Sequence, residues 1–376
     1  MNKNMQKKYT SLGLMSGTSG DGVDASLINS NGIDEFEVIK DKYFEYDSKI
    51  YKAIHSLKKK IFNKDDLSKF SKDLQDLERN ITLYHAKIIK ELETNHKDLL
   101  IGFHGQTIYH NSMERISLQL GDGKLLNQLT KKKIIFNFRA NDILNGGEGA
   151  PLTPIYHQLI TLQKKIKIPV CILNIGGISN ITIVKKKIGF SEIFSKDIGP
   201  GNCLIDEWVR NNSIHKYDYD GQLAETGTIN HIIFEQAQEL YNNRKNKKKI
   251  SFDVSDFDIS FSRGLSLEDG ATTLTEFTAS IIGESLSLIL YKENSVKDIL
   301  LCGGGRKNKI LIKSIKKYLI PKINLKLIDD YGLNGDFIES QAFAFLAIRS
   351  YENLPISFPN TTNCKKACTG GELVEN

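Results

Sequence analysis

Apolar residues in the first 46 positions fall into short runs, YTSLGLMSG, GVDASLINSNG and FEVIKDKYFEY, punctuated by glycine and asparagine. β-Branched and aromatic residues fill the runs, so the pattern predicts strand, glycine turn, strand, turn, strand, an antiparallel meander. From 48 to 97 the period changes. Ile50, Ile54, Leu57 and Ile61, then Leu67, Leu74, Leu77, Ile81 and Ile88, recur at mixed three- and four-residue spacings, which predicts helices.

Further along, DLLIGFHGQTIYH reads as a short apolar strand running into a polar turn. KKIIFNFRANDILNGGEGAPLTPIYHQLI repeats that plan with a longer loop before a helix. IPVCILNIGGISNITIVKK, at 168–186, has the grammar of the opening stretch and predicts a second copy of one supersecondary unit. FSKDIGPGNCLIDEWV and DILLCGGGRKNKILIKSIKKYL each predict strand, glycine turn and helix. Glycine-rich turns near residues 17, 176, 199 and 303 thus each follow an apolar strand, which favours an α/β protein with ligands held at the turns.

A chain of 376 residues that is 40% hydrophobic can bury one large core or two moderate ones, and two domains are the natural expectation. The net charge is +6, and the lysines include short triplets at 58–60, 131–133, 185–187 and 247–249, spread far apart as solvated turns rather than a binding stripe. Nucleic acid is set aside on that ground, leaving a mild bias toward anionic small ligands. Five cysteines, odd in number and without paired zinc spacing, fit free thiols in a reducing compartment. No apolar run reaches membrane-spanning length and the N-terminal apolar stretch is too short for a signal peptide, so a cytoplasmic location with no membrane partner is expected.

Glycine turns let several backbone N–H groups face one anion, and a following helix adds its positive end; phosphate is the natural guest, tight turning the plain alternative. The common nucleotide fingerprints are absent, since LGDGKLL near Lys124 lacks the first glycine and the hydroxyl of the phosphate-loop pattern. A nucleotide would therefore be gripped by two glycine hairpins from opposite domains. Asp21 and Asp24 beside the first turn suit a hydrated magnesium ion or simple turn chemistry. Asp197, at a strand end before IGPGN, suits a general base. Gly303, Gly304 and Gly305 offer bare backbone for a flat ring with Arg306 and Asn308 beside it, or close helix–strand packing.

Taken together, MSGTSGDGVD (15–24), HGQT (104–107), LQLGD (118–122), FRANDILNGGEGAPL (138–152), NIGGISN (174–180), DIGPGN (197–202), YDYDGQLA (217–224), CGGGRKN (302–308) and YGLNGDFIESQAFAFLAIR (331–349) resemble the anhydro-N-acetylmuramic acid kinase family. That family lies within the superfamily of acetate and sugar kinases, Hsp70 and actin. The resemblance implies an α/β fold of two ribonuclease-H-like (actin-type ATPase) domains around a central cleft, closing about a hinge. Domain I would be 1–138 plus about 345–376, with the first phosphate loop; domain II would be 139–344, with Asp197 and the adenosine-side loop.

The implied reaction opens the 1,6-anhydro bond of 1,6-anhydro-N-acetylmuramic acid with water and moves the γ-phosphoryl of ATP to O6, in peptidoglycan recycling. By motif position the resemblance makes Asp197 the base. It places Gly17, Thr18, Ser19, Gly20, Asp21, Gly22 and Asp24 on the ATP phosphates and the Mg2+ shell, with Asp21 at the metal. Gly199, Gly201 and Asn202 join the nucleotide site, with Gly303 to Gly305 and Asn308 near adenosine. Arg139 would meet the lactyl carboxylate or the transferred phosphate, or else pair with Asp142 in the interior. Gln106 and Thr107 would bond the sugar; His104 would do so too or be a satisfied structural histidine. Glu339, at helical spacing from Asp336, would reach the cleft or stabilise a helix dipole. The partners implied are the amino sugar and ATP, with room for a homodimer.

The chain departs from the family pattern at Gly20, where leucine is usual and glycine would loosen the turn. Ile198 stands in place of threonine, Glu148 in place of glutamine, and the whole of 251–270 differs. The rival reading is an actin- or Hsp70-like ATPase switch without sugar phosphorylation; retained HGQT, FRAND and Asp197 speak against it.

Overall fold

The computed structural model describes residues 7–92, 96, 98–186, 192–244 and 252–375, so the 247–249 lysine triplet lies outside the described residues. Contacts gather into two units: Met1–Ile166 with Lys187–Phe194 and Phe337–Asn376, and Lys167–Lys186 with Ser195–Asp336.

Unit 1 opens on β1 (Tyr9–Ser16), β2 (Gly22–Ser30) and β3 (Phe36–Glu45), antiparallel neighbours as their punctuation predicts. The helical period becomes α1 (Ser48–Lys58), α2 (Lys64–Lys69) and α3 (Ser71–Glu91). Asp47 caps α1 by accepting from the Lys49 and Ile50 N–H groups, and Asn63 caps α2 in a capping box with Asp66. β4 (Leu100–Asn111) runs parallel to β1, β5 (Ile116–Leu120) hairpins onto its far end, and α4 (Gly123–Thr130) leads to β6 (Lys133–Phe136), parallel to β4. α5 (Ala140–Leu144) and α6 (Pro154–Gln163) follow.

Unit 2 holds β7 (Val170–Ile175), β8 (Ile178–Val184), nearly all of β9 (Ile193–Pro200), α7 (Cys203–Asn212), α8 (Gln222–Thr226), α9 (His231–Arg244), α10 (Leu267–Lys292), β10 (Asp298–Cys302), α11 (Lys309–Tyr318) and β11 (Asn324–Leu327). The chain then returns to unit 1 with α12 (Ile338–Tyr351), α13 (Pro359–Thr362) and β12 (Glu372–Val374), which pairs antiparallel with β6.

The predicted internal copy is visible in the sheets. The first runs β12-β6-β4-β1-β2-β3 with β5 beside β4, and the second runs β11-β10-β7-β8-β9. The parallel pairs β1/β4 and β4/β6 correspond to β7/β10 and β10/β11, and the hairpin β1/β2 to β7/β8. One chain trace is thus laid down twice.

The predicted turn at HGQT is instead part of β4. Pairing with β5 carries the strand on to Asn111, and Gly105, at φ +75°, marks a register shift opposite Met15. Residues 139–166, assigned by the resemblance to the second domain, have their contacts in unit 1: Tyr156 on α6 donates to Gln341 Oε1 at 3.0 Å, and Gln163 bonds both ways with the Phe36 backbone.

Alternation along β1 sets the two faces of the first sheet. Leu12 and Leu14 enter a core with Ile54, Ile81 and Phe103. On the opposite face Gly13, Ser26 and Gly102 let α12 approach to backbone contact: a Cβ at Gly13 would stand 2.0 Å from Ser340 O, and one at Gly102 2.3 Å from Phe343 O.

Candidate active site

The turn between β1 and β2 closes by a Gly20 N–H bond to Gly17 O at 3.2 Å and is tethered from two sides. Lys58 Nζ donates to Thr18 O at 2.5 Å, and Gln106 Nε2 to Gly17 O at 2.9 Å. Gly17 is open, since a Cβ there would meet nothing nearer than Ser19 Oγ at 3.9 Å. Gly20 sits at φ +70° with Ile54 Cγ2 2.9 Å from where a Cβ would be, so this turn requires glycine and a leucine would not fit unshifted. Among the described residues Asp21 Oδ1 and Gln106 Oε1 are buried without a partner. An orphaned carboxylate oxygen beside an open glycine turn fits a hydrated cation on a bound phosphate.

Gln106 itself is fully buried, and its amide nitrogen is committed to the turn; Thr107 Oγ1 accepts from Gln119 Nε2 at 3.3 Å. Arg139, just before α5, bonds His104 Nε2 through Nη2 at 2.9 Å and Nε at 3.3 Å, and Gly149 O through Nη1 at 2.7 Å. Asp142, 1% exposed, accepts from the Gly149 N–H at 2.7 Å and the Thr362 hydroxyl at 2.6 Å. Arg139 and Asp142 therefore meet at the backbone of Gly149, one at its carbonyl and one at its amide.

Buried histidines set an acid limit on unit 1. Burial lowers His85 from an ordinary 6.5 to about 4 and His157 to about 3, and burial together with the Arg139 charge holds His104 well below 6.5. A group neutral in the fold whose folded pKa is depressed contributes stability that is complete above the unfolded value and is lost as pH falls below it. While all three titrate in the unfolded chain only, the unfolding free energy should drop by up to about 4 kcal/mol per pH unit. Urea midpoints at about pH 7.5, 6 and 5 test this, and equal midpoints would contradict it.

In unit 2, Asp197 lies on β9, 5% exposed, and its Oδ2 accepts from the Phe252 N–H at 2.8 Å. That donor comes from the divergent 251–270 segment, and as a backbone group it is indifferent to side-chain replacement. The Gly-Pro-Gly-Asn loop folds onto the β7–β8 turn: Gly201 N and Asn202 N donate to the carbonyls of Gly177 and Gly176, each at 2.8 Å, and Cys203 N to Gly177 O at 3.3 Å. The amides of Gly201 and Asn202 just before α7 and of Cys203, its first residue, expected to face an anion, are thus bonded to the neighbouring glycine turn. A Cβ at Gly201 would stand 2.1 Å from Gly176 O, and one at Gly199 2.5 Å from Ile281 Cγ2.

The 303–305 loop joins the same cluster. Cβ atoms at Gly303 and Gly305 would fall 2.6 Å from Ile175 O and 2.3 Å from Ile175 Cγ2, whereas at Gly304 the nearest atom is Asn202 Nδ2 at 3.9 Å. Close packing explains Gly303 and Gly305; Gly304 alone presents open backbone. Arg306, expected beside a ring, instead makes a bidentate pair with Asp329 at 2.8 and 2.9 Å and a third bond to Asp336 at 2.6 Å. Asn308 caps α11, accepting from the Leu311 N–H at 2.9 Å. Asp336 is bonded to Arg306 and Lys307 and precedes α12, so it shares no helix face with Glu339, which lies in the first turn of α12. Ser179 Oγ and Asn180 Oδ1, in NIGGISN, are buried without partners among the described residues. Sequence reasoning named their block without singling them out, because a serine and an asparagine after a glycine turn also read as turn formers.

Unit 1 thus carries an open glycine turn and an anchored arginine, and unit 2 glycine turns and a buried carboxylate, groups of the kinds that phosphoryl transfer and proton abstraction use. Among the described residues no helix is long and apolar enough to cross a membrane, and no group of three or more His, Cys, Asp or Glu is placed to hold a metal. A family model described as anhydro-N-acetylmuramic acid kinase matches residues 9–376. The chain is 55% identical over 375 residues to the anhydro-N-acetylmuramic acid kinase of Pelagibacter ubique, covering 99% of this chain and 100% of that one. It is 36% identical over 371 residues to the protein of that name from Zymomonas mobilis, covering 96% and 98%. Among solved structures, an activator of the 2-hydroxyisocaproyl-CoA dehydratase from Clostridium difficile with bound ADPNP is 10% identical at a TM-score of 0.41, covering 91% of this chain and 96% of that one.

Proposed function

The chain belongs to the anhydro-N-acetylmuramic acid kinase family, and on that premise we propose how its residues divide the reaction. The enzyme opens the 1,6-anhydro bond of 1,6-anhydro-N-acetylmuramic acid with water and transfers the γ-phosphoryl of ATP to O6, giving N-acetylmuramic acid 6-phosphate and ADP. The observation that carries this is the full-length match to relatives of that name, 55% identical in the first case. In this reading Asp197 takes a proton from water as its oxygen bonds to C1. The C1–O6 bond breaks, O6 attacks the γ-phosphorus, and the bond to the β-phosphate oxygen breaks with ADP as leaving group.

The Phe252 N–H holds one Asp197 oxygen at 2.8 Å, which helps orient the carboxylate. The turn from Gly17 to Asp21, open at Gly17 and tethered by Gln106 and Lys58, would receive the phosphates, and the open backbone of Gly304 suits the adenosine. Asp21, whose buried Oδ1 has no partner among the described residues, would hold a hydrated magnesium ion with the nucleotide, and that ion would supply charge shielding at the phosphates. Arg139 binds the lactyl carboxylate or the charge developing on the transferred phosphoryl group. Arg139→Ala should lower kcat/KM by roughly 10²-fold, with thermal stability monitored alongside; an unchanged kcat/KM would remove it from the site.

The reaction's need for ATP and the five free cysteines support a cytoplasmic location. Light scattering of the purified chain reads whether it pairs as a homodimer. The decisive assay incubates the protein with ATP, magnesium and the anhydro sugar and follows ADP and sugar by mass spectrometry. A product heavier by one phosphate and one water is expected. ADP released equally with and without sugar would return the ATPase switch in its place.

A further inference from the structure

His104 is unusual among the buried groups of unit 1 because both ring nitrogens face partners of fixed character. Nδ1 lies 2.8 Å from Gly105 O, which only accepts, so Nδ1 carries the proton. Nε2 lies 2.9 Å from Arg139 Nη2 and 3.3 Å from its Nε, and a guanidinium only donates, so Nε2 carries the lone pair. The two requirements select the same neutral tautomer. Burial and the neighbouring cation keep the ring from charging.

The ring has little freedom to turn: it is 4% exposed and tilted against Phe343 with centroids 4.5 Å apart. The anchors on both sides of Arg139 are backbone carbonyls delivered by left-handed glycines, Gly105 at φ +75° for the imidazole and Gly149 at φ +77° for Nη1. Gly149 is in turn held by Asp142. Two rigid acceptors on different edges of one guanidinium define its plane.

We propose that His104 is a positioning residue, its Nε2 lone pair fixing the guanidinium plane of Arg139 for the phosphoryl-transfer site; this rests on the reading of Arg139 given above. It replaces direct sugar binding by His104. Because the effect passes through Arg139, it must vanish when Arg139 is gone, which a purely structural histidine would not show.

The test is a double-mutant cycle on kcat/KM with His104→Phe, Arg139→Ala and the pair, each checked by thermal unfolding. His104→Phe alone should cost about 10- to 10²-fold, and less than about 2-fold in the Arg139→Ala background. An equal cost in both backgrounds would overturn the proposal. An Arg139→Ala enzyme as active as the parent would instead overturn the role of Arg139 and identify that as the failed premise. Should the phenylalanine variant not fold, His104→Gln and His104→Asn decide: the glutamine amide oxygen reaches the place of Nε2, and asparagine reaches only that of Nδ1. Glutamine retaining more activity than asparagine supports the proposal, and asparagine equal or better refutes it.

Discussion

Asp197→Asn should lower turnover roughly 10²- to 10⁴-fold with little change in thermal midpoint. Asparagine keeps the shape of the side chain, and its carbonyl oxygen can still accept from the Phe252 N–H, 2.8 Å from Asp197 Oδ2 in the native enzyme. The packing of a residue that is 5% exposed is therefore preserved. What disappears is a group able to take the proton of the attacking water, since an amide is not a base near neutral pH. Steady-state formation of the sugar phosphate is the readout, with ADP measured in parallel. Residual activity within about 10-fold of the parent would exclude Asp197 as the base. ADP formed without sugar phosphate would show that the phosphate site survives and that ring opening is the step lost.

Gly13→Val should remove most of the soluble folded protein, with a destabilisation of at least about 3 kcal/mol. The first added carbon would lie 2.0 Å from Ser340 O and 2.5 Å from Ala344 N, both backbone atoms of α12. A helix backbone cannot rotate out of the way as a side chain can. Valine's better strand propensity is worth at most about 1 kcal/mol, too little to offset such a clash. Gly17→Ala is the control, because its Cβ would find the nearest atom at 3.9 Å. Urea midpoints and soluble yield compare the two, and a Gly13→Val protein with a midpoint close to the parent would contradict the close approach of α12.

Local alternation makes the opening meander legible in the residues themselves, and the repeated strand–glycine–strand grammar at 168–186 anticipates a second sheet that matches the first in strand order. Which partner a strand finds is not local information. HGQT looks like a turn from its composition, yet β5 pairs alongside and keeps it in β4. Glycine carries the same ambiguity, since one letter serves a phosphate cradle, a left-handed turn and a close backbone contact. Gly17 and Gly304 are open, Gly20 is left-handed, and Gly201 and Gly305 lie against neighbouring chain. Arg306 and Asn308 are legible as polar residues after a glycine loop, whereas their partners, Asp329, Asp336 and the Leu311 amide, are fixed only by tertiary structure. Arg139 and His104 stand out in their motifs, and only the folded geometry shows them bonded to each other.

The return of α12 to the first sheet bears on how the protein is born. Unit 1 begins within Met1–Ile166 but needs Phe337–Asn376, whereas most of unit 2 is one run, Ser195–Asp336. At the ribosome's pace the interval between Ile166 and Phe337 lasts roughly 10 to 30 seconds. Throughout it the face bearing Gly13, Ser26 and Gly102 has no α12 to cover it, so the later-made unit is free to mature first. The earlier strands wait as nascent chain with an unsheathed sheet surface, and that interval is when a holdase chaperone would have most to protect.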